Sequence, residues 1–121
     1  MKKTIMVADD SPIIRKLIAF SLSIKGYDII SVSDGMEALE TLPKENIDLI
    51  ITDLNMPNVD GFELIRAVRS NDDLKSTPII VLSNLSETDD IERALQFGAD
   101  SYLIKPFEQK TIINEVSKYL N

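Results

Sequence analysis

Three observations predict an α/β fold in which a five-stranded parallel sheet lies between two layers of helices. Short apolar runs alternate with helical patterns five times along the chain. The first, third and fourth runs are apolar throughout, as in strands covered on both faces. Residues able to do chemistry (Asp9 and Asp10, Asp53, Ser83, Lys105) stand at the C-terminal ends of four runs, on what a parallel sheet makes a single edge.

The first run is Thr4 to Ala8. A helix follows, with Ser11 as its cap, Pro12 in its first turn, an apolar stripe of Ile14, Leu17, Ile18 and Leu22, and Gly26 beyond its end. The second run, Ile29 to Val32, is more polar and suits an edge strand. Its helix carries Met36, Leu39 and Leu42 and stops at Pro43. The third run, Leu49 to Thr52, leads through a turn at Pro57 to Asp60, which holds Met56 as turn structure, into a helix with Phe62, Leu64, Ile65 and Val68. The fourth, Ile79 to Leu82, precedes a helix capped by Ser86, with Ile91, Ala94 and Leu95 and a stop at Gly98. Its acidic start, Glu87, Asp89 and Asp90, suits the positive end of the helix dipole. The fifth run, Tyr102 to Ile104, precedes a last helix with Ile112, Ile113, Val116 and Leu120. Phe62, Phe97 and Phe107 fill core or interface.

The chain has 121 residues, enough for one domain spanning 1–121, and 44% of them are hydrophobic, enough for a dry core. It has no cysteine and no histidine. That excludes disulfides, thiolate metal sites, cysteine nucleophiles and Ser-His-Asp catalysis. The basic start runs into only a few apolar residues before Asp9, too short for a signal peptide, and no run approaches a membrane span. A cytoplasmic protein is expected. The net charge of −7 argues against direct binding of nucleic acid and for a metal cation or a basic partner.

Ligands of open α/β sheets bind outside the carboxyl ends of the strands, where the strand order reverses. With the order 2-1-3-4-5, borrowed from flavodoxin-like folds, Asp9, Asp10 and Asp53 converge. At a separation near 4 Å each pair of like charges costs about 4 kcal/mol at an effective dielectric near 20. Either one carboxylate takes a proton or a cation binds. Lys105 supplies one positive charge, and magnesium suits what remains. Asp9 and Asp10 would hold the metal, Asp53 would be the nucleophile, and Ser83 and Lys105 would contact phosphoryl oxygens.

At this point three motifs resemble those of response regulator receiver domains, the chemotaxis regulator among them. They are Val7-Ala8-Asp9-Asp10-Ser11, Asp53-Leu54-Asn55-Met56-Pro57-Asn58-Val59-Asp60-Gly61, and Gly98 to Phe107 with Lys105-Pro106 inside it. The resemblance covers essentially the whole chain. It implies that Asp53 accepts phosphate from a sensor histidine kinase or a phosphotransfer protein. It implies Mg2+, with Mn2+ as a substitute, on Asp10, Asp53 and the carbonyl of Asn55, with Asp9 acting through water. It also implies that Ser83 moves toward the phosphoryl group, that Tyr102 turns inward, and that the face of helix 4, strand 5 and helix 5 signals to an output partner. The Lys105-Pro106 bond is usually cis in that family. A receiver is a signalling phosphoacceptor and catalyses only its own phosphorylation and slow dephosphorylation; a monomer or weak dimer is expected. Asn84 departs from the family's usual alanine or glycine and would narrow access to Asp53, whereas Ser83 in place of threonine is within its range.

Other readings fit less well. A flavin or nucleotide carrier would need a phosphate-cradling loop after strand 1, where the two aspartates stand. A phosphatase of the dehalogenase type would have its nucleophile after strand 1 and a second aspartate two positions on. A receiver-shaped interaction module that is never phosphorylated is the main alternative, and magnesium binding separates it from the others. Whether output passes through a separate protein or a further part of a longer regulator is open at this stage.

Overall fold

The computed structural model describes residues 2–84 and 88–120. Strands β1 (Thr4–Ala8), β2 (Asp28–Val32), β3 (Leu49–Asp53), β4 (Ile79–Asn84) and β5 (Ser101–Lys105) form one parallel sheet in the order β2-β1-β3-β4-β5. Helices α1 (Pro12–Ser23), α2 (Gly35–Thr41), α3 (Gly61–Arg69), α4 (Thr88–Phe97) and α5 (Gln109–Ser117) follow the strands in turn. The expected flavodoxin-like order is the observed one.

Strand side chains alternate between the two faces. Ile5, Val7, Leu49, Ile51, Ile80 and Leu82 pack with Ile18 and Leu22 of α1 and with Ile112 and Val116 of α5. Met6, Ala8, Ile50, Ile79 and Val81 pack on the opposite face with Ala38, Leu64, Ile65, Val68 and Ala94 of α2, α3 and α4. Both faces are dry, so β1, β3 and β4 read as unbroken apolar runs. β2 lies at an edge, where Asp28 and Ser31 reach solvent.

Caps place the helices that border the sheet's C-terminal edge. Ser11 Oγ accepts the N–H of Ile14 at 3.3 Å, and Asp60 accepts that of Glu63 at 2.9 Å. Asp34 caps α2 through Glu37 N at 2.8 Å, and Glu37 Oε1 accepts the N–H of Ser33 in return. The Ser86 cap and Glu87 fall outside the described residues; Asp89 and Asp90 do stand in the first turn of α4.

Several residues read as core are exposed: Leu17 by 36%, Met36 by 46% and Leu95 by 38%. In α1 the sheet-facing positions are Ile14, Ile18, Ser21 and Leu22, and buried Ser21 donates its hydroxyl to the carbonyl of Leu17. Ile14, Ile18 and Leu22 of the expected stripe do face the sheet; Leu17 falls instead on a second apolar side of the helix, with Ile13 and Phe20. In α2 the first turn is held by Gly35 and Ala38, which leaves Met36 outside. Pro43 does not stop that helix abruptly, because a 3-10 turn over Leu42–Lys44 carries the chain onward. Met56 is more than turn structure: its side chain is buried in the core on the α3 side of the sheet. Among the described residues no helix is long and apolar enough to cross a membrane.

Candidate functional site

Strand register builds the site. Ala8 pairs with Thr52, Asp53 with Leu82, and Asn84 with Lys105. The residues at the C-terminal ends of β1, β3, β4 and β5 therefore emerge at one level. Asp9 is fully buried and Asp53 nearly so, while Asp10 stands exposed at the rim. One carboxylate oxygen from each of the three lies within 4.8 Å of the others. Lys105 Nζ reaches between the two buried ones, 3.1 Å from Asp9 Oδ2 and 3.1 Å from Asp53 Oδ2.

Local bonds set each carboxylate. Asp9 Oδ1 accepts the N–H of Ser11 at 2.9 Å, and the Asp9 carbonyl accepts from Arg15 at 2.6 Å. Asp53 Oδ1 receives a long contact of 3.4 Å from the N–H of Asn55. The loop after β3 closes where Gly61 N donates to the Leu54 carbonyl at 2.9 Å. A Cβ at Gly61 would lie 2.3 Å from the carbonyl oxygen of Asp53, so a side chain there collides with the backbone of Asp53.

Three carboxylates and one ammonium leave the cluster with a formal charge of −2. Burial, joined by the neighbouring charge of Asp9, pushes the Asp53 carboxyl above its ordinary range despite the opposing pull of Lys105. Burial alone would push Lys105 down, but the carboxylates of Asp53 and Asp9 outweigh it and hold the ammonium above its ordinary value. The donor set fits a hard dication: it is all oxygen, partly desolvated, and short of two positive charges. Calcium would want more ligands than these side chains offer.

Ser83 is buried, with its hydroxyl 3.3 Å from the Asn84 carbonyl, and the side chain of Asn84 stands exposed at the end of β4. Tyr102 is 46% exposed, on β5 three residues before Lys105. The Lys105-Pro106 bond is cis. Thus Asp9, Asp10, Asp53 and Lys105 are brought together, Ser83, Asn84 and Asn55 stand on neighbouring strand ends and the loop, and Tyr102 lies apart. Arg15 and the close approach of Gly61 escaped the sequence reading. Arg15 carries no signal beyond charge on the first turns of a helix, whereas a glycine just after the cap of α3 could have suggested close packing.

A model of the response regulator receiver domain matches residues 5–117. The "Probable transcriptional regulator ycf27" of Porphyridium aerugineum is 41% identical over 111 residues, which is 92% of this chain and 45% of that protein. The chain thus spans less than half the length of the curated relatives it matches first. Among solved structures, the chemotaxis response regulator CheY4 of Vibrio cholerae aligns with a TM-score of 0.93 at 33% identity, covering 99% of this chain and 100% of that one. The receiver domain of sensor histidine kinase PA1611 from Pseudomonas aeruginosa, solved with a magnesium ion coordinated in its active-site cleft, aligns at 0.90 with 28% identity and 98% coverage of both chains. Fold, edge-of-sheet carboxylates and these likenesses agree: the chain belongs to the response regulator receiver domains, the phosphoacceptor modules of two-component signalling.

Proposed function

We propose that Asp53 is the phosphoacceptor of this receiver and that its reaction uses Mg2+ held by Asp10, Asp53 and the carbonyl of Asn55, with Asp9 behind them. The observation that carries this reading is the partly desolvated Asp53 carboxylate beside Lys105, in a cluster with uncompensated negative charge. A carboxylate oxygen of Asp53 attacks phosphorus, the donor's P–N bond breaks, and the departing imidazole nitrogen takes up a proton from solvent. Lys105 pairs with one phosphoryl oxygen and Ser83 donates to another. The bound dication would neutralise phosphoryl oxygens and relieve the repulsion among the aspartates. Water later returns the acyl phosphate to carboxylate and free phosphate.

The donor would be a sensor histidine kinase or a phosphotransfer protein. Ile13, Leu17, Phe20 and Ile24 form an exposed apolar stripe at coiled-coil spacing along α1, which begins beside Asp9 and Asp10. Among the described α-helices α1 alone contains neither Asp nor Glu, so a donor helix with an apolar stripe and acidic flanks suits it. Phe20→Glu would then slow transfer from such a kinase and leave labelling by a small phosphodonor unchanged. Output would pass through the face of α4, β5 and α5. Ser83 would move toward the phosphoryl group and Tyr102 would leave its half-exposed position for the space released. A cytoplasmic setting suits all these partners.

The test is intact mass spectrometry after long incubation with Mg2+ and a small phosphodonor, beside Asp53→Asn. One added phosphoryl group that needs the metal and is absent from the variant supports the reading. Asn84→Ala should label faster if Asn84 narrows the entrance. No labelling, even by a cognate kinase, would leave a receiver-shaped interaction module in its place.

A further inference from the structure

The loop that carries Asn55 does not hold its shape through its own residues alone. Its two ends are tied by the Gly61 N to Leu54 O bond, and buried Met56 anchors its first half. Its second half rests on a different element, the start of α2. Asn58 sits in the left-handed region at φ 68°, and its amide donates to Asp34 Oδ2 at 2.8 Å. Beside this bond, the Val59 carbonyl lies so close to Gly35 that a Cβ there would come within 2.0 Å of its oxygen. Asp34 is itself held in place: Oδ1 accepts the N–H of Glu37 at 2.8 Å, and Glu37 reaches back to Ser33 N. The bonds from Glu37 and Asn58 keep the Asp34 carboxyl below its ordinary value, in keeping with a carboxylate that accepts on both oxygens.

We infer that Asp34 is a positioning residue for the phosphoacceptor site, acting through Asn58 to set the backbone of the loop that bears Asn55. Asp34 touches neither donor nor metal. It lies on the β2 side of the sheet, and it turns the N-terminus of α2 into a brace for the segment between Asp53 and Gly61. The Asn58–Asp34 bond is exposed, so its worth is modest alone; the dry backbone contact at Gly35 gives the brace its fixed distance. The inference rests on the metal reading given above, because the group it positions is the carbonyl of Asn55.

Two variants separate positioning from mere folding. Asn58→Gly keeps the left-handed backbone accessible and removes the amide, while also loosening the backbone at that one position. Asp34→Asn keeps a carbonyl oxygen for the cap, and Asn58 can turn its amide to present its own oxygen to the new donor. Amide hydrogen exchange of residues 54–60 would be followed in the metal-free proteins, and Mg2+ affinity by calorimetry. Asn58→Gly should speed exchange in the loop and weaken Mg2+ binding by about threefold to tenfold, the worth of one hydrogen bond. Asp34→Asn should stay near wild type in both. Faster exchange with unchanged affinity, or unchanged exchange, would overturn the inference. A wild-type protein that binds no Mg2+ would refute the metal reading itself, and the exchange data would still tell whether the brace exists.

Discussion

Replacing Lys105 by methionine isolates the electrostatics of the site. Methionine keeps most of the apolar stem, so the change is chiefly the loss of one charge. Nζ lies 3.1 Å from an oxygen of Asp9 and 3.1 Å from one of Asp53. At an effective dielectric near 20 each contact is worth about 5 kcal/mol of attraction before desolvation is subtracted. Without it the cluster goes from −2 to −3, and two buried carboxylates lose their shared partner. Orphaning a buried ion costs about 3–5 kcal/mol. The lysine side chain is still 19% exposed, and screening brings the expected loss down to about 2–4 kcal/mol. With a urea slope of about 2 kcal/mol per molar, the unfolding midpoint in EDTA at pH 7 should fall by about 1–2 M. Adding Asp53→Asn to Lys105→Met should restore part of that loss, because it removes one of the stranded charges. A Lys105→Met variant within about 0.5 kcal/mol of wild type, the range of an ordinary surface change, would show that the two carboxylates do not need the ammonium.

Asp53→Asn alone should stabilise the metal-free protein at neutral pH, since burial and Asp9 raise the Asp53 carboxyl above its unfolded value of 3.8. Folding then binds a proton, so ionised Asp53 costs stability above its folded pKa and the cost fades as pH falls toward 3.8; the advantage of asparagine should shrink in step, and an advantage constant with pH would count against this. Glu115 works in the opposite sense. Burial would raise it, but the Ser101 hydroxyl and Lys118 hold it low, so its contribution is present above 4.5 and lost as pH falls through the folded value; Glu115→Gln should flatten that limb of the stability profile. Gly61→Ala should cost about 1–3 kcal/mol and, on the proposed reading, slow labelling at Asp53, because its Cβ meets that residue's carbonyl oxygen; normal labelling kinetics would deny the coupling. Arg69→Met should cost about 2–4 kcal/mol in urea unfolding, since Arg69 donates to the carbonyls of Lys75, Thr77 and Gly98 and pairs with Asp100, and a loss below about 0.5 kcal/mol would show that water replaces it.

The fold was legible because a parallel sheet covered on both sides leaves unbroken apolar runs, and the cluster was legible because its members stand at the ends of such runs. Asp9, Asp53 and Lys105 need only the strand order to meet. What the sequence hid depends on choices that composition does not make. In α1 the stripe of Ile14, Ile18 and Leu22 does go inward, and only packing against the sheet and α5 shows that Leu17, next to Ile18, stays outside. Arg69 reads as a surface arginine near a helix end, yet it binds the loops before β4 and β5 together, because those loops meet beyond the same sheet edge. The brace between Asp34 and Asn58 joins residues 24 positions apart whose types each have an ordinary local explanation, a cap and a turn.

The charge balance of the cluster also bears on what phosphorylation would do. An ionised Asp53 contributes −1, and an acyl phosphate in its place would contribute about −2 at neutral pH, by analogy with other phosphorylated side chains. On the proposed reading the site would move from −2 to about −3 with the same single lysine. Lys105 already lies between two carboxylates and cannot match the new charge alone. The phosphorylated form would therefore depend on a divalent ion more than the resting form does, and by linkage the ion would favour phosphorylation by the same factor. The site's internal repulsion would then make the metal a condition of the signal as well as an aid to the chemistry. A phosphorylated protein that keeps its conformation and its group equally well after the metal is removed would break this account.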